Sequence, residues 1–280
     1  MSVYETVTNQ ILEELEKGTA PWVKPWTTPY PHNAVSQKDY RGVNVFLLLT
    51  TAMQKGYRNP AWLTFRQAKD LGGTVRKGEH GTQIVYAASY EKKGDNGREG
   101  DDAEPETIHF LKFYYVFNVE QTEGLPQRLT VVSTQKTIEE SLPHARDFVE
   151  KIGATTIHGG NRACYIPSLD EIHLPSMEDF ETEAHYYATR LHEEGHWTGH
   201  PCRLNRVLTG RFGDQSYAAE ELIAELTAAY LCAWLEIPGQ LRHAEYIGFW
   251  VKLLKDDKKA IFTAAARATE AADYLRSLGE

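Results

Sequence analysis

The segment from Arg190 to Trp197 constrains the fold and chemistry of this chain more than any other. It contains the pattern His-Glu-x-x-His, with His192 and His196 four residues apart. On an α-helix this spacing places both imidazoles on one face, where they can hold Zn²⁺ at roughly 2.0–2.1 Å per nitrogen. Glu193 then lies one step around the helix, where it can act as general base on a water held by the metal.

The same five-residue pattern also occurs by chance on solvated helices. Tyr187, Leu191 and Trp197 argue against that interpretation, because a helix that carries them is expected to be buried on several sides. Buried histidines need polar partners, and a metal ion supplies them. We therefore predict a metal site.

A second helix is predicted to supply the third ligand, since catalytic zinc usually has three protein ligands. The segment that begins at Glu220 places Glu221 and Glu225 four residues apart, beside an apolar stripe. The pattern Glu-x-x-Ala-Glu resembles the glutamate-zincin signature, which implies Glu221 as the ligand and Glu225 as a hydrogen-bond partner of a ligand histidine. Glu220 remains an alternative ligand, and neither His185 nor His200 is predicted to bind the metal.

The remaining chemistry of the site is left open by the sequence. A His₂Glu donor set accepts Mn²⁺, Co²⁺ or Ni²⁺ as well as the expected Zn²⁺. A hydrolase also needs a group that stabilises the oxyanion. The candidates are five tyrosines: Tyr165, Tyr186, Tyr187, Tyr217 and Tyr230.

Charge is distributed unevenly along the chain. From Lys17 to Lys93 there are twelve Lys/Arg and four Asp/Glu, a net charge of +8, whereas the whole chain carries −9. This asymmetry favours two functional halves, one of which faces a polyanion, and it argues against an acidic DNA mimic. The three cysteines form no Cys-x-x-Cys pair and no apolar run is long enough to span a bilayer, so we expect a cytoplasmic protein without a membrane partner.

Hydrophobic periodicity predicts an α+β protein of two domains. Residues 1–125 are predicted to form a small α+β domain, and residues 126–136 a linker. Residues 137–280 are predicted to form a mainly helical domain with a short sheet, and Ser176 with Asp179 resembles a capping box at the start of the motif helix. The predicted helices cover residues 3–17, 45–55, 137–152, 217–236, 242–254 and 257–277, with one more from the Thr64 cap to Leu71 and the motif helix from the Ser176 cap to near Gly199. The predicted strands cover residues 82–88, 110–119, 154–157, 163–166 and 171–174.

Two groups of motifs resemble ArdC-type antirestriction proteins. The C-terminal group comprises Tyr165-Ile166-Pro167, Asp170-Glu171-Ile172, Leu174-Pro175, Tyr186-Tyr187-Ala188-Thr189, the His192–His200 segment and Glu220-Glu221-Leu222 with Ala224-Glu225-Leu226. The N-terminal group comprises Trp22, Pro25-Trp26, Tyr40-Arg41-Gly42, Asn44, Trp62, Gln67, Lys77-Gly78-Glu79 and Val116-Phe117-Asn118. Glu194 departs from the family pattern, which has an apolar residue there.

The resemblance implies a plasmid- or phage-borne antirestriction protein. Its N-terminal domain would bind single-stranded DNA, and its C-terminal domain would be a zincin-like metallopeptidase of the glutamate-zincin type with an unidentified protein substrate. It also implies that the strand from Asp170 to Pro175 is the edge strand that receives an extended substrate. Two alternatives stay open: a DNA-binding protein whose metal is structural, and a metallopeptidase with an unrelated N-terminal domain.

Candidate DNA contacts combine basic, aromatic and amide side chains of the N-terminal half. Basic groups contact phosphates, and aromatic rings stack on bases. The candidates are Lys24, Trp26, Tyr40, Arg41, Asn44, Trp62, Arg66, Gln67 and Lys77.

Overall fold

A computed structural model describes most of the chain. The described residues are 2–18, 20, 29–91, 107–131, 136–206, 214–238 and 246–280, with backbone alone for 87–91 and 107–110. The DNA-contact candidates Lys24 and Trp26 lie outside these ranges.

The N-terminal part consists of three helices around small sheets. Its helices are α1 (Val3–Glu16), α2 (Val43–Lys55) and α3 (Phe65–Asp70). A capping box in which Ser2 accepts from Glu5 starts α1, and a second one in which Thr64 accepts from Gln67 starts α3. Both boxes satisfy backbone N–H groups that lack a partner in the first helical turn.

Two sheets form in this part. The larger has the order β1-β2-β5-β4, in which β1 (His32–Asn33) runs parallel to β2 (Ala61–Leu63). The long hairpin of β4 (Thr82–Glu91) and β5 (Thr107–Asn118) completes it, with β2 and β4 both antiparallel to β5. A smaller antiparallel pair joins β3 (Thr74–Val75) and β6 (Thr122–Glu123).

The C-terminal part is mainly helical. Its helices are α5 (Ile138–Ile152), α6 (Glu183–Trp197), α7 (Gln215–Leu235), α8 (Ile247–Asp256) and α9 (Ala260–Gly279). The short helix α4 (Gln127–Thr130) lies in the predicted linker, and its Leu129 carbonyl accepts from Asn59 of the N-terminal part at 3.2 Å. The segment that connects α5 to α6 along the chain forms a three-stranded sheet of order β7-β9-β8. Its strands are β7 (Thr156–His158), β8 (Cys164–Ile166) and β9 (Glu171–Leu174). The predicted α+β class is confirmed.

The start of the motif helix differs from the prediction. Ser176 precedes a single 3₁₀ turn, Met177–Asp179, and makes no side-chain capping bond. Helix α6 begins after Thr182, whose hydroxyl accepts from the His185 N–H at 3.1 Å. Phe180, in an extended conformation, separates the two. The capping box predicted at Ser176 and Asp179 is therefore not formed, and Thr182 caps the motif helix.

One apolar core joins the two parts of the chain. Val7 and Ile11 of α1 belong to the same buried cluster as Leu226 of α7 and Trp250 of α8. The hydroxyl of Thr8 donates to the carbonyl of Lys258 at 2.7 Å. Among the described helices, we find none with the length and apolarity that crossing a bilayer requires.

Candidate metal centre and basic surface

Helix α6 presents both motif histidines toward α7. The two Nε2 atoms of His192 and His196 lie 3.2 Å apart. On α7, the carboxylate of Glu221 lies 3.5 Å from the Nε2 of His192 and 3.6 Å from that of His196. Among the described residues, these three form the group whose donor atoms all lie close enough together to share one ion.

A glycine brings the two helices close enough for this arrangement. A Cβ atom placed on Gly195 would lie 3.2 Å from the Cα of Ala224 and 3.4 Å from the Cβ of Thr227. These distances are tighter than ordinary van der Waals contact. The absence of a side chain at Gly195 therefore sets the spacing between the histidines of α6 and the carboxylate of α7.

The donor set fits a divalent cation. Tetrahedral zinc with bonds of 2.0–2.1 Å places its ligand atoms about 3.3 Å apart. The two imidazole nitrogens lie 3.2 Å apart, and each has a Glu221 oxygen nearby, Oε2 at 3.5 Å from His192 and Oε1 at 3.6 Å from His196. Burial raises the pKa of Glu221, but its hydrogen bonds with His192 and His196 outweigh burial and lower that pKa. The carboxylate is therefore held ionised in a buried site, which favours a cation.

A buried ion pair fixes the orientation of His196. Its Nδ1 lies 3.3 Å from Glu220, whose carboxylate accepts from the guanidinium of Arg206 at 2.8 and 3.0 Å. The same guanidinium donates to the carbonyl of Gly195 at 2.7 Å and to the hydroxyl of Thr198 at 2.8 Å. The alternative of Glu220 as a metal ligand is not supported, because its carboxylate faces the Nδ1 side of the ring.

His192 has Glu225, the predicted hydrogen-bond partner of a ligand histidine, near its Nδ1 atom. Glu225 is fully buried, and its Oε1 lies 4.0 Å from the Nδ1 of His192. That distance is longer than a hydrogen bond. The two histidines therefore have different acidic neighbours on α7, Glu225 beside His192 and Glu220 beside His196. The sequence pattern indicated Glu225 as such a neighbour.

Glu193 is buried beside the short sheet. Burial raises the pKa of the Cys164 thiol of β8, and the Glu193 carboxylate raises it further. The Cys164 thiol of β8 is therefore near enough to the proposed base to be influenced by its charge. The expectation that the Asp170–Pro175 strand is the free edge is wrong, because β9 pairs with β7 on one side and β8 on the other.

Among the five candidate tyrosines, Tyr217 is the one that interacts with the donor cluster, the group formed by His192, His196 and Glu221, because the Glu221 carboxylate acts on its hydroxyl. Its hydroxyl lies 3.2 Å from that of Tyr246. Burial raises the pKa of Tyr217, as do the Tyr246 hydroxyl and the Glu221 carboxylate. The other four candidates contact other groups: Tyr165 contacts Asp170, Tyr186 contacts His158, Tyr187 contacts Arg146, and Tyr230 contacts the carbonyl of Gly42.

The remaining polar residues of α6 lie away from the cluster. Glu194 is fully buried and accepts from Arg190 at 3.0 Å. Burial raises the pKa of Glu194 to about 7, although Arg190 opposes the shift. His200 lies in the turn beyond the helix and accepts from the Cys202 N–H at 3.2 Å, and neither His185 nor His200 belongs to the donor cluster.

Three DNA-contact candidates have structural roles within the protein. Trp62 is 0% exposed in the core between α2 and the hairpin, so its ring cannot stack on a base in this conformation. Asn44 binds both the N–H and the carbonyl of Val85 at 2.8 Å. Gln67 completes the cap of α3 and pairs with Asn33. For Trp62 the expectation of base stacking is therefore corrected. Asn44 and Gln67 are half-buried, and DNA contact by these two residues stays a prediction.

The other four described candidates divide into two groups. Tyr40 is half-buried against the core, and Arg41 forms an ion pair with Asp273 of α9 at 2.6 Å. Arg66 has 91% of its side chain exposed beside Asp70 at 3.7 Å, and Lys77 is exposed in the turn before β4. Arg66 and Lys77 are therefore accessible to phosphate groups. Arg41 is accessible as well, since 63% of its side chain is exposed, but its guanidinium already has Asp273 as a partner.

Comparison with known proteins identifies both parts of the chain. Residues 143–267 match the family model described as a zincin-like metallopeptidase. Residues 1–117 match the model described as the N-terminal domain of the anti-restriction factor ArdC. The donor cluster lies within the first of these regions, and the exposed basic residues Arg66 and Lys77 lie within the second.

Several relatives share this organisation. The protein y4eC of Sinorhizobium fredii is 38% identical, with coverage of 98% of this chain and 92% of its own. The DNA primase TraC of Escherichia coli is 39% identical over 97% of this chain, which spans only 27% of the primase. Crystal structures of the antirestriction protein ArdC from plasmid R388, metal-free and Mn(II)-bound, superpose with TM-scores of 0.84 and 0.80 at 40% identity, covering 100% of this chain and 98% of theirs.

Proposed function

This chain belongs to the ArdC family of antirestriction proteins, and from that premise we propose that it binds single-stranded DNA and carries a zinc-dependent peptidase centre. It would act in the cytoplasm on behalf of a plasmid or phage, protecting incoming DNA from restriction. The observation that carries the proposal is the buried triangle of His192, His196 and Glu221. A divalent metal in a relative of 40% identity supports it.

The residues around the triangle are suited to hydrolysis. When bound, a divalent ion acts as a Lewis acid and lowers the pKa of water. Glu193 would accept the proton as general base, and Glu220 would orient His196. Glu225 would supply a negative charge 4.0 Å from the Nδ1 of His192. Tyr217, with Tyr246 beside it, would donate a hydrogen bond to the oxygen that becomes negative during peptide cleavage. The substrate would be a protein segment adjacent to β8.

DNA binding is supported by charge and by exposure. Arg66 and Lys77 are both exposed on the part of the chain that matches the ArdC N-terminal domain. They belong to the Lys17–Lys93 stretch of net charge +8. Phosphate contacts of this kind give affinity without sequence preference.

Two other functions compete with this one. The metal can be structural, in which case Glu193→Gln leaves every function intact. The chain can also be a metallopeptidase whose N-terminal part binds no DNA. A combined binding and metal assay separates these possibilities.

The test compares single- and double-stranded DNA binding by wild type, Glu193→Gln and His192→Ala at two salt concentrations, with metal content measured on the same samples. We expect wild type and Glu193→Gln to bind single strands equally and to contain metal, and His192→Ala to lose the metal. Binding should weaken with salt, by about 0.7 in the log–log slope for each phosphate contacted. A slope near zero, or no DNA binding by metal-loaded protein, would contradict the DNA-binding part of the proposal.

A further inference from the structure

The β4–β5 hairpin exposes aromatic rings that the DNA-contact candidates did not include. Tyr86 of β4 is 55% exposed and Tyr114 of β5 is 48% exposed. Their ring centroids lie 5.5 Å apart, with the rings at 73° to each other. Tyrosine is intermediate in its tendency to be buried, so one exposed ring is ordinary. Two exposed rings in contact form a continuous aromatic surface that a partner can use.

Strand register places a lysine beside this pair. Tyr86 is directly opposite Lys112, and Tyr114 is directly opposite Ile84. Residues directly opposite in an antiparallel ladder share a face, so Tyr86, Tyr114 and Lys112 lie on one face of the hairpin. We refer to these three residues as the tyrosine face.

Part of the same side of the hairpin is already covered. Ile84 and Val116 are buried against Leu48 and Ala52 of α2. The tyrosine face continues this surface, and its three residues are all exposed. The fold therefore covers one portion of this side and leaves the aromatic and basic portion open to a partner.

The chemistry of this portion fits single-stranded nucleic acid. Every base has a π-face, and stacking on an aromatic side chain is tolerant of sequence. A lysine ammonium attracts the phosphates between stacked bases. A protein partner with an apolar patch would not require the ammonium group, and a duplex keeps its bases stacked on each other.

We propose that the tyrosine face receives the bases of single-stranded DNA, with Lys112 contacting the adjoining phosphate. This inference rests on the proposed function, because it names the surface on which that binding takes place. It also replaces the stacking role expected of the buried Trp62.

The hairpin provides its own control. Tyr115 is 57% exposed, but it lies opposite Gln83 on the other face of the same strands. Tyr86→Ala, Tyr114→Ala and their double variant should therefore be compared with Tyr115→Ala in the full-length protein. A Tyr86→Phe/Tyr114→Phe double variant keeps both rings and removes only the hydroxyl groups.

Binding is measured by fluorescence anisotropy with a labelled oligothymidylate, and folding by thermal melting. We expect each Ala substitution on the tyrosine face to raise Kd by about 5- to 100-fold. Tyr115→Ala and the double Phe variant should bind like wild type. Lys112→Ala should reduce the salt slope by about 0.7.

Three results would overturn the inference. If wild type binds the oligonucleotide and the double Ala variant binds equally well, the tyrosine face is not the binding surface, although the proposed function survives. If wild type itself does not bind, both fail together. If the double Ala variant converts a dimer into a monomer in analytical ultracentrifugation without changing Kd, the tyrosine face is a contact between copies of this chain.

Discussion

At the residue scale, the candidate metal centre depends on how charge is balanced inside the protein. Burial opposes protonation of His196, but Glu220 and Glu221 outweigh it and raise the pKa of this histidine well above its ordinary value. Arg206 in turn balances Glu220, with 6% of its side chain exposed. A divalent ion bound here would take the place of a proton on His196, and the Arg206–Glu220 pair would keep the imidazole in the orientation that binding needs.

Removing the acceptor of His196 should weaken metal binding. We expect Glu220→Gln to lower the affinity for Zn²⁺ or Mn²⁺ by about 10- to 100-fold, since the imidazole loses its anionic partner. Isothermal titration of chelator-treated protein gives the affinity, and Glu270→Gln on the exposed side of α9 is the control. An unchanged affinity in a folded Glu220→Gln protein would show that His196 needs no such partner.

Trp62 should behave as a core residue. We expect Trp62→Ala to reduce the free energy of unfolding by about 3–5 kcal/mol, because it leaves a large cavity among buried side chains. Trp62→Phe should cost less, and it should bind DNA as wild type does once folded. Urea denaturation measures the first effect. A Trp62→Ala protein of normal stability with lost DNA binding would restore the stacking role.

At the element scale, the loop after α6 is tied to the short sheet. The guanidinium of Arg203 donates to both carboxylate oxygens of Asp170 and to the Tyr165 hydroxyl, and it lies 3.8 Å from the centre of the Trp197 ring. Asp170 has φ of +55° in the turn between β8 and β9. These contacts hold β8 against the end of the motif helix, beside Glu193.

The Asp170–Arg203 contact should make stability depend on pH. The hydrogen bonds from Arg203 lower the pKa of Asp170 below its ordinary value of 3.8. The folded state therefore favours the ionised form, so the contribution is fully present above about pH 4 and is lost as the pH falls through the lowered pKa. Asp170→Asn, which also tolerates positive φ, should melt lower than wild type at pH 7.

The same comparison in acid provides the check. As the pH falls below 3.8, the melting temperatures of wild type and Asp170→Asn should converge, because the carboxyl of the wild type becomes neutral. If the difference in melting temperature stays constant from pH 7 down to pH 2.5, the charge of Asp170 does not contribute to stability, and the effect of the substitution comes from packing.

The sequence could predict which side chains share a helix face, because that follows from the period of the α-helix. The spacing of His192 and His196, and of Glu221 and Glu225, follows from 3.6 residues per turn, and the structure brings these side chains together. Arg206 and Tyr246 could not be found in this way, since each is a single residue with no repeating pattern. The position of β9 in the middle of its sheet depends on which strands pair with it, and no local pattern records that.

At the scale of the whole molecule, the N-terminal and C-terminal parts are joined by side-chain contacts as well as by the polypeptide chain. Arg276 of α9 pairs with Asp39 at 3.1 Å, and Lys255 of α8 pairs with Glu16 at 2.6 Å. The Thr269 hydroxyl accepts from the Gly42 N–H at 2.9 Å. The proposed boundaries at residues 125 and 137 therefore separate functions more readily than they separate folding units.

A fragment of residues 1–125 tests this directly. We expect it to unfold without a cooperative transition, because α1 would expose Val7, Ile11 and Leu15, which are buried in the full chain. Urea denaturation followed by circular dichroism measures the transition. A sharp transition would show that the N-terminal part folds independently of the helices that cover α1.

The metal stoichiometry of the full-length protein decides whether His192, His196 and Glu221 form a metal site. Chelator-treated wild type should bind one Zn²⁺ or Mn²⁺ ion, and the His192→Ala, His196→Ala and Glu221→Ala variants should each bind none at the same concentration. Glu193→Gln should bind one ion, as wild type does. If Glu221→Ala binds the ion as tightly as wild type, or if wild type binds none, the buried triangle is not a metal site and the peptidase proposal fails with it.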